Sequence, residues 1–254
     1  MTTMDCDLYG FPVTVCDHEV GRYVFTECNR SNWKPELFKV FDRFLKPGMG
    51  VLDIGAYAGA TTLYPALKGC VVFAYECDPV AYPVLCQNIN LNRLSKTAYP
   101  YPDAVCDVPH DVVNFGARGD WGNSKAGLLF SAGKPGPGDT VVPSTTLNIA
   151  AIPFNVRGLG FLKINVQGTE ASLLGAGRKT LMDLRPVVHV YIRPANCMDP
   201  ARDIQRLMTA LDMYPVISTE DGTPLDRAEL STEAWLTRHD FKIVATMEEW
   251  SLDD

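Results

Sequence analysis

Short apolar runs alternate with longer segments of helical spacing along most of the chain. Segment 33–45 places its apolar residues on one stripe and is followed by the helix-ending sequence KPG, which predicts a helix. Further runs predict strands at 51–54, 71–75, 98–105, 161–166, 187–192, 214–218 and 241–246. Further segments predict helices at 60–68, 80–92, 169–183 and 200–212. This alternation predicts an α/β fold with a doubly wound, mostly parallel sheet that helices cover on both faces.

Two segments depart from the alternation. Residues 11–15 and 23–25 are rich in β-forming side chains and predict short strands within an N-terminal extension, 1–32. Residues 111–145 combine several glycines, the run GKPGPG and short β-prone pieces. We predict an insertion of antiparallel strands and loops there, and loops of this kind tend to carry substrate selection.

The composition disfavours several classes of protein. The 254 residues are 46% hydrophobic and 21% charged, which is ordinary for one soluble domain. No apolar run approaches the ~20 residues that span a bilayer, and the N-terminus lacks the features of a signal peptide. The net charge of −7 disfavours nucleic acid, because phosphate binding needs a basic face. We predict a cytoplasmic monomer or homodimer, with neither membrane nor nucleic acid as a partner.

Eight cysteines are scattered along the chain. None forms a Cys-x-x-Cys pair, and no cluster of cysteine and histidine has the spacing of a zinc site. Several lie in apolar segments, as Cys70 does directly before Val71. We interpret the cysteines as small buried side chains in a reducing compartment.

The stretch 51–60, VLDIGAYAGA, predicts a ligand site. The strand ends at Asp53, and Gly55 and Gly59 allow a tight turn into a helix whose first N–H groups face a ligand. A dinucleotide site has G-x-G-x-x-G, whereas the spacing here is G-x-x-x-G behind an acid. That acid would repel a pyrophosphate, but it suits a cationic ligand such as S-adenosylmethionine.

A second carboxylate, Glu76, follows the next predicted strand. It lies close to the ~20-residue spacing of the acid that binds a ribose in nucleotide-binding folds. An ionised carboxylate accepts hydrogen bonds from both ribose hydroxyls. The alternative is that Asp53 only charges a helix N-terminus and that Glu76 is a solvated turn residue.

The order and spacing of these blocks resemble the class I S-adenosylmethionine-dependent methyltransferases, and the FkbM-like branch in particular. The resemblance covers residues 36–192, from LKPG and VLDIGAYAGATTL through FAYECDP and STTLN to FLKINVQGTEASLLGA. It implies a Rossmann-like sheet of seven strands whose last strand is antiparallel. It also implies S-adenosylmethionine as the cofactor and O-methylation of a small-molecule or glycan acceptor, at a hydroxyl or a carboxyl group.

The resemblance assigns site residues within one methyltransferase domain, 1–254. It makes 33–110 the cofactor-binding half and 146–254 the acceptor-side half. The implied cofactor contacts are Asp53, Gly55, Ala56, Tyr57, Gly59, Glu76, Cys77, Asp103, Ala104 and Asn165.

The fourth strand departs from the family pattern. The usual Lys-Ile-Asp-Val-Glu-Gly-x-Glu is KINVQGTE here, so that Asn165 and Gln167 replace acids. Asn148 and Tyr191 also stand where the family has acids, and the four replacements look like a coordinated loss of charge in one pocket. Amides do not titrate, so they can position an acceptor but cannot take its proton. Because hard cations favour carboxylate ligands, we predict no metal.

A hydroxyl acceptor needs a base, and the fifth strand offers one. Period two places His189, Tyr191 and Arg193 on one face of this strand. We predict His189 as the base, with a satisfied core histidine as the alternative, and His110 as a weaker candidate. Lys163 is a further catalytic candidate, or it pairs with Glu170 or another acid.

The remaining predictions concern the acceptor. Asn165 is predicted to position it, and Gln167, Tyr191 and Arg193 are predicted to bind it, with Arg193 suited to an anionic group. Two other functions stay open: a cofactor-binding protein that has lost catalysis, and a nicotinamide oxidoreductase, which the missing G-x-G-x-x-G disfavours.

Overall fold

The computed structural model describes residues 2–107, 112–116, 127–128, 139–156, 158–197, 199–232, 235 and 240–252. Within this part, an antiparallel hairpin of β1 (Thr3–Leu8) and β2 (Phe11–Cys16) opens the chain. Helices α1 (Glu19–Cys28) and α2 (Pro35–Phe44) follow it. The strand predicted at 11–15 and the helix predicted within 33–45 are confirmed.

The strand predicted at 23–25 is wrong, because these residues belong to α1. Val24 and Cys28 lie one helical turn apart, and both are buried together with Phe25. Burial of this stripe outweighs the β-propensity of the local sequence.

The other elements follow in chain order. The strands are β3 (Gly50–Ile54), β4 (Val71–Tyr75), β5 (Ala98–Tyr101), β6 (Ala104–Cys106), β7 (Val112–Gly116), β8 (Gly127–Leu128), β9 (Asp139–Thr146), β10 (Leu159–Ile164), β11 (Val187–Ile192), β12 (Val216–Ser218) and β13 (Phe241–Thr246). The helices are α3 (Ala60–Leu67), α4 (Ala81–Leu91), α5 (Leu147–Ala150), α6 (Glu170–Ala176), α7 (Arg178–Leu184) and α8 (Pro200–Ala210).

In the described part of the chain, seven strands form a central sheet in the order β12-β13-β11-β10-β3-β4-β5. Strands β11, β10, β3, β4 and β5 pair in parallel, whereas β13 runs antiparallel to both β11 and β12. The predicted fold class is confirmed: a Rossmann-like α/β fold with a mostly parallel seven-stranded sheet and an antiparallel last strand.

Two predicted elements are each divided in the structure. The strand predicted at 98–105 ends at Tyr101, and β6 leaves the central sheet to pair with β9. Pro102 lies at this break and has no N–H group with which to continue a ladder. The helix predicted at 169–183 is divided at Gly177, where a Cβ atom would lie 2.3 Å from Leu147. Glycine there permits close packing of α5 against the break between α6 and α7.

Strand β9 also pairs antiparallel with β7, which pairs with β8. These described residues of 111–145 confirm antiparallel strands in the predicted insertion. The other residues of that segment, and His110, lie outside the described part of the chain.

Side chains of the central strands alternate between two apolar layers. Phe161 packs in the layer formed with α1 to α4, and its neighbour Leu162 packs in the layer formed with α5 to α8. Period two therefore puts Lys163 on the α1–α4 face, and parallel pairing puts His189 directly beside it. None of the helices within the described ranges has the length and apolar character that would let it cross a membrane.

Candidate active site

A cleft lies at the carboxyl ends of the central parallel strands, where open α/β sheets bind their ligands. It runs from Arg193 after β11, past Asn165 and Gly55, to Glu76 after β4 and Asp103 after β5. The predicted site residues that line it are Gly55, Ala56, Tyr57, Glu76, Cys77, Asp103, Ala104, Lys163, Asn165, Gln167 and Arg193.

The turn after β3 is fixed by its backbone. The N–H groups of Gly55 and Ala56 both donate to the carbonyl of Tyr75. Gly55 has a φ of +77°, and a Cβ atom on it would lie 2.1 Å from the carbonyl oxygen of Asn165. Gly59 does not line the cleft; it precedes α3 with a φ of +99° and packs close to Leu85. The glycines of this motif thus set the turn and bring it against the β10 loop.

Glu76 presents a carboxylate to the cleft from the end of β4. Its Oε2 accepts from the N–H of Tyr57 at 2.7 Å, and its Oε1 accepts from the N–H of Asp78 at 2.8 Å. Each oxygen keeps a lone pair, so the carboxylate can still accept both hydroxyls of a ribose. Burial raises the pKa of Glu76 to about 7. This acceptor set fits the ribose of S-adenosylmethionine.

Asp53 is fully buried and does not line the cleft. Its Oδ2 accepts from the hydroxyls of Thr61 and Thr62, and its Oδ1 lies 2.8 Å from the ammonium of Lys163. Lys163 also donates to the carbonyl of Gly55 at 2.7 Å. The partner of Lys163 is therefore Asp53 rather than Glu170. The carboxylate that was predicted to meet the cofactor instead anchors Lys163 and Thr61, which line the cleft.

The loop after β10 is held by a buried carboxylate. Glu170 accepts from the N–H groups of Val166 and Gly168, at 3.0 and 2.9 Å. Gln167 adopts a left-handed φ of +67°, and its Oε1 accepts from Asn196. Burial raises the pKa of Glu170, whose role here is to shape the loop. The loop thereby presents Asn165 and Gln167 to the cleft.

His189 does not reach the cleft, so the predicted base is misplaced. The residue is 1% exposed, and its Nε2 lies 2.7 Å from Oε1 of Glu220. Burial lowers the pKa of His189 despite this partner, so the imidazole is neutral and donates to Glu220. It lies beside Lys163 in the strand register, below the level of Asn165. The alternative of a core histidine describes it better.

Basic side chains gather around Tyr191 at the acceptor end of the cleft. The ring centroid of Tyr191 lies 4.6 Å from Nζ of Lys34, 4.4 Å from Cζ of Arg193 and 5.2 Å from Nζ of Lys242. Asp240 accepts from the hydroxyl of Tyr191 and from Nε of Arg193. Three basic side chains, Lys34, Arg193 and Lys242, therefore meet two carboxylates, Asp240 and Glu220, around Tyr191.

The four uncharged replacements do not share one pocket. Asn165 and Gln167 line the cleft, and Tyr191 packs beside it. Asn148 bonds instead to Thr180 and to the carbonyl of Ala176, and it does not line the cleft. The predicted coordinated loss of charge therefore does not include Asn148.

Lys34 and Trp33 were missed in the sequence, although both line the cleft. They directly precede Pro35, the first residue of α2. The sequence signal for these two residues was the pair WK before a helix-starting proline. That signal does not show which part of the fold Trp33 and Lys34 contact. Among the described residues, no group of three or more His, Cys, Asp or Glu side chains has the arrangement of a metal site.

The fold is Rossmann-like, and the cleft lies at the edge of the sheet where such folds bind their ligands. Glu76 and the turn after β3 would hold S-adenosylmethionine, which supplies an electrophilic methyl group when it is bound. Residues 53–214 match the family model of the FkbM methyltransferase domain, and the chain therefore belongs to this family. The match is to a methyltransferase domain, as the sequence resemblance implied.

The chain is also similar to individual proteins. It is 29% identical over 91 residues to a putative ribosomal RNA large subunit methyltransferase of Methanocaldococcus jannaschii, over 36% of this chain and 21% of that protein. It therefore spans only about a fifth of that relative. An FkbM methyltransferase structure from Methylobacillus flagellatus overlaps 91% of this chain and 56% of that one, with TM-score 0.48 and 12% identity. A putative rRNA-methylase structure from Clostridium thermocellum overlaps 85% and 96%, with TM-score 0.49 and 9% identity.

These comparisons correct the expectation about partners. The expected exclusion of nucleic acid is wrong, because a curated relative is a putative ribosomal RNA methyltransferase. The net charge of a whole chain does not decide this question, since recognition depends on the local field, and the acceptor end here is cationic. A glycan acceptor has no support among these proteins.

Proposed function

We propose that this protein transfers the methyl group of S-adenosylmethionine to an oxygen atom of an acceptor that carries a negative charge near the reacting group. The observation that carries the proposal is the cationic acceptor end of the cleft. The guanidinium of Arg193 lines it, and the amides Asn165 and Gln167 stand there in place of carboxylates.

Charge attraction supports an anionic acceptor. The guanidinium of Arg193 is shared between Asp240, at 3.3 Å, and the amide oxygen of Asn165, at 3.4 Å. Both contacts are long, so the guanidinium keeps donors for a carboxylate or a phosphate. An acidic side chain in place of Asn165 would neutralise it, and the amide does not.

The chemistry of methyl transfer suits this arrangement. The displacement at a sulfonium carbon is in line and the leaving group is neutral, so that much of the rate comes from holding the acceptor oxygen close and aligned. Asn165 donates and accepts hydrogen bonds at the point where the β10 loop meets the turn of Gly55. We assign it the positioning of the acceptor oxygen.

The experiment combines binding with product analysis. Calorimetry with S-adenosylmethionine, and with NAD as the control, tests the cofactor half. Labelled methyl transfer is then measured to matched hydroxy acids and hydroxy amides, and to a ribosomal RNA transcript. We expect label in the hydroxy acids, with the product bond resistant to mild alkali if it is an ether and cleaved if it is an ester.

Arg193→Met provides the matched variant. It should lower transfer to the acid of each pair and leave transfer to the amide nearly unchanged, because only the acid has a charge for Arg193 to bind. Preference for the amide, label on a nitrogen or carbon atom, or binding of NAD without S-adenosylmethionine would overturn the proposal. Label on the RNA alone would replace the small hydroxy acid with a nucleic-acid acceptor.

A further inference from the structure

Lys34 occupies a defined position at the acceptor end of the cleft. Its Nζ lies 5.0 Å from the ring centroid of Trp33 and 4.6 Å from that of Tyr191, so that the amine is held between two aromatic faces. The residue adopts a left-handed φ of +50° directly before α2. It shares the lining of the cleft with Asn165 and Arg193. Its side chain is therefore directed at the place assigned to the acceptor.

The groups that face Lys34 are mostly cationic. They come from four elements: Lys163 on β10, Arg193 after β11, Glu220 after β12 and Lys242 on β13. His189 is also near, but it is neutral and bonded to Glu220. Glu220 lies 3.9 Å from Lys242 as well. In the described residues, no carboxylate lies within the 4.0 Å of an ion pair with Lys34.

This environment favours an uncharged amine. Part of the residue remains exposed at the cleft, but its ammonium end is surrounded by protein and by like charges. Burial, and then the charges of Lys163 and Arg193, lower the pKa of Lys34 to about 7. At neutral pH a large fraction of the protein thus carries a free lone pair on this nitrogen.

Other titratable groups at this end of the cleft are already engaged. The carboxylate of Asp240 accepts from Tyr191 and Arg193, and that of Glu220 is bonded to His189. Lys163 is bound to Asp53, and the guanidinium of Arg193 does not lose a proton. Asn165 and Gln167 do not titrate, and His189 is buried away from the cleft. We propose that Lys34 is the proton acceptor for methyl transfer to a hydroxyl group. The inference rests on the proposed function and names the base that function requires.

The step is balanced. The acceptor oxygen forms a bond to the methyl carbon while the carbon–sulfur bond breaks, and the electron pair of that bond stays on sulfur. The proton of the hydroxyl moves to Nζ of Lys34, which becomes an ammonium and returns the proton to water before the next cycle. The products are a methyl ether and S-adenosylhomocysteine.

A direct test measures the pKa of the Lys34 amine in the absence of an acceptor. Lysines of the full chain, loaded with S-adenosylmethionine, are dimethylated with a carbon-13 label and titrated by NMR, and Lys34→Arg identifies the Lys34 signal. We expect a midpoint near neutrality for Lys34, well below that of the reference lysine Lys39 on the exposed face of α2. A midpoint for Lys34 near that of Lys39 would overturn the inference, whatever the acceptor.

The kinetic test compares Lys34→Arg with Lys39→Arg, which makes the same change on the helix that Lys34 precedes. For a hydroxyl acceptor, Lys34→Arg should lower kcat about 100- to 10,000-fold, because arginine keeps the charge but accepts no proton. The wild-type protein should also lose kcat as the pH falls, and this decrease should be absent in Lys34→Arg. For a carboxylate acceptor, which needs no base, the same substitution should lower kcat much less.

The outcomes separate the two proposals. Cofactor binding and the melting temperature of Lys34→Arg show that it is folded. Wild-type protein that methylates hydroxyls while Lys34→Arg keeps both its rate and its loss of kcat at low pH would overturn the role of Lys34 alone. Wild-type protein that binds S-adenosylmethionine and methylates no acceptor would overturn the proposed function, and the proton step with it.

Discussion

The ammonium of Lys163 and the carboxylate of Asp53 form an ion pair at 2.8 Å on adjacent strands, and both side chains are almost completely buried. The pair joins the strand that shapes the cofactor turn to the strand that ends at Asn165. Lys163 adds bonds to the backbone carbonyls of Ile54 and Gly55. The ion pair thus fixes the position of the cofactor turn after β3 relative to Asn165 after β10.

Lys163→Met should cost about 3–5 kcal/mol of unfolding free energy, because it leaves the Asp53 carboxylate buried without its partner. Urea denaturation measures the loss. Lys179→Met is the matched control, since Lys179 pairs with Asp183 on an exposed helix face and such pairs contribute little. The combination of Asp53→Leu with Lys163→Met should recover part of the loss. A single variant as stable as wild type would contradict the role of the pair.

Gly55→Ala should be far more damaging than Gly48→Ala. Both glycines have a left-handed φ, +77° and +84°, so that each alanine carries the same backbone strain of about 1–2 kcal/mol. A Cβ on Gly55 also meets the Asn165 carbonyl oxygen at 2.1 Å, whereas one on Gly48 meets nothing within 4 Å. Denaturation and calorimetry should show weakened cofactor binding only for Gly55→Ala. Equal losses would show that strain alone matters.

Cofactor affinity should fall as the pH drops through neutrality. The pKa of Glu76 is about 7 in the free protein, and ribose hydroxyls bind the ionised form. Each unit below that value should therefore raise Kd about tenfold. Glu76→Gln should bind more weakly above pH 7 and lose this dependence, while any titration of the cofactor itself remains. A wild-type Kd that is constant from pH 5.5 to 8 would contradict the ribose assignment.

Asn165→Asp should weaken acidic acceptors. The new carboxylate would pair with Arg193, whose Nη1 lies 3.4 Å from the Asn165 oxygen, and would raise KM for a hydroxy acid about tenfold or more. KM for the matching amide should change little. Asn148→Asp is the control, because Asn148 also replaces a family acid but lies outside the cleft. If both variants behave alike, the local charge at Arg193 does not select the acceptor.

The sequence was sufficient for features that depend on local order. The turn of Gly55 and the carboxylate of Glu76 follow their strands directly, so periodicity and motif spacing placed both correctly in the cleft. Register along a strand is harder to infer. Period two placed His189, Tyr191 and Arg193 on one face, but it does not fix height, and His189 pairs with Lys163 one level below the strand end.

The sequence alone could not predict contacts between distant segments. Lys34 meets Tyr191 only because the residues directly before α2 lie beside Tyr191 on β11, and no local pattern encodes that approach. For the same reason, the sequence did not decide whether Lys163 pairs with Glu170 or with another acid. Residues 23–25 show the opposite failure, where strong local β-propensity was overridden by a helical stripe that packs into the core.

The wall of the cleft formed by Tyr23, Val24, Trp33 and Lys34 precedes residue 53, where the match to the shared family domain begins. One wall of the cleft therefore precedes the family match, whereas Asn165 and Arg193, which face the acceptor, lie within it. Selectivity can diverge by replacement of the leading stretch while the strands of the methyl donor site stay unchanged. An exchange of that stretch between two members of the family is thus a direct route to altered acceptor choice.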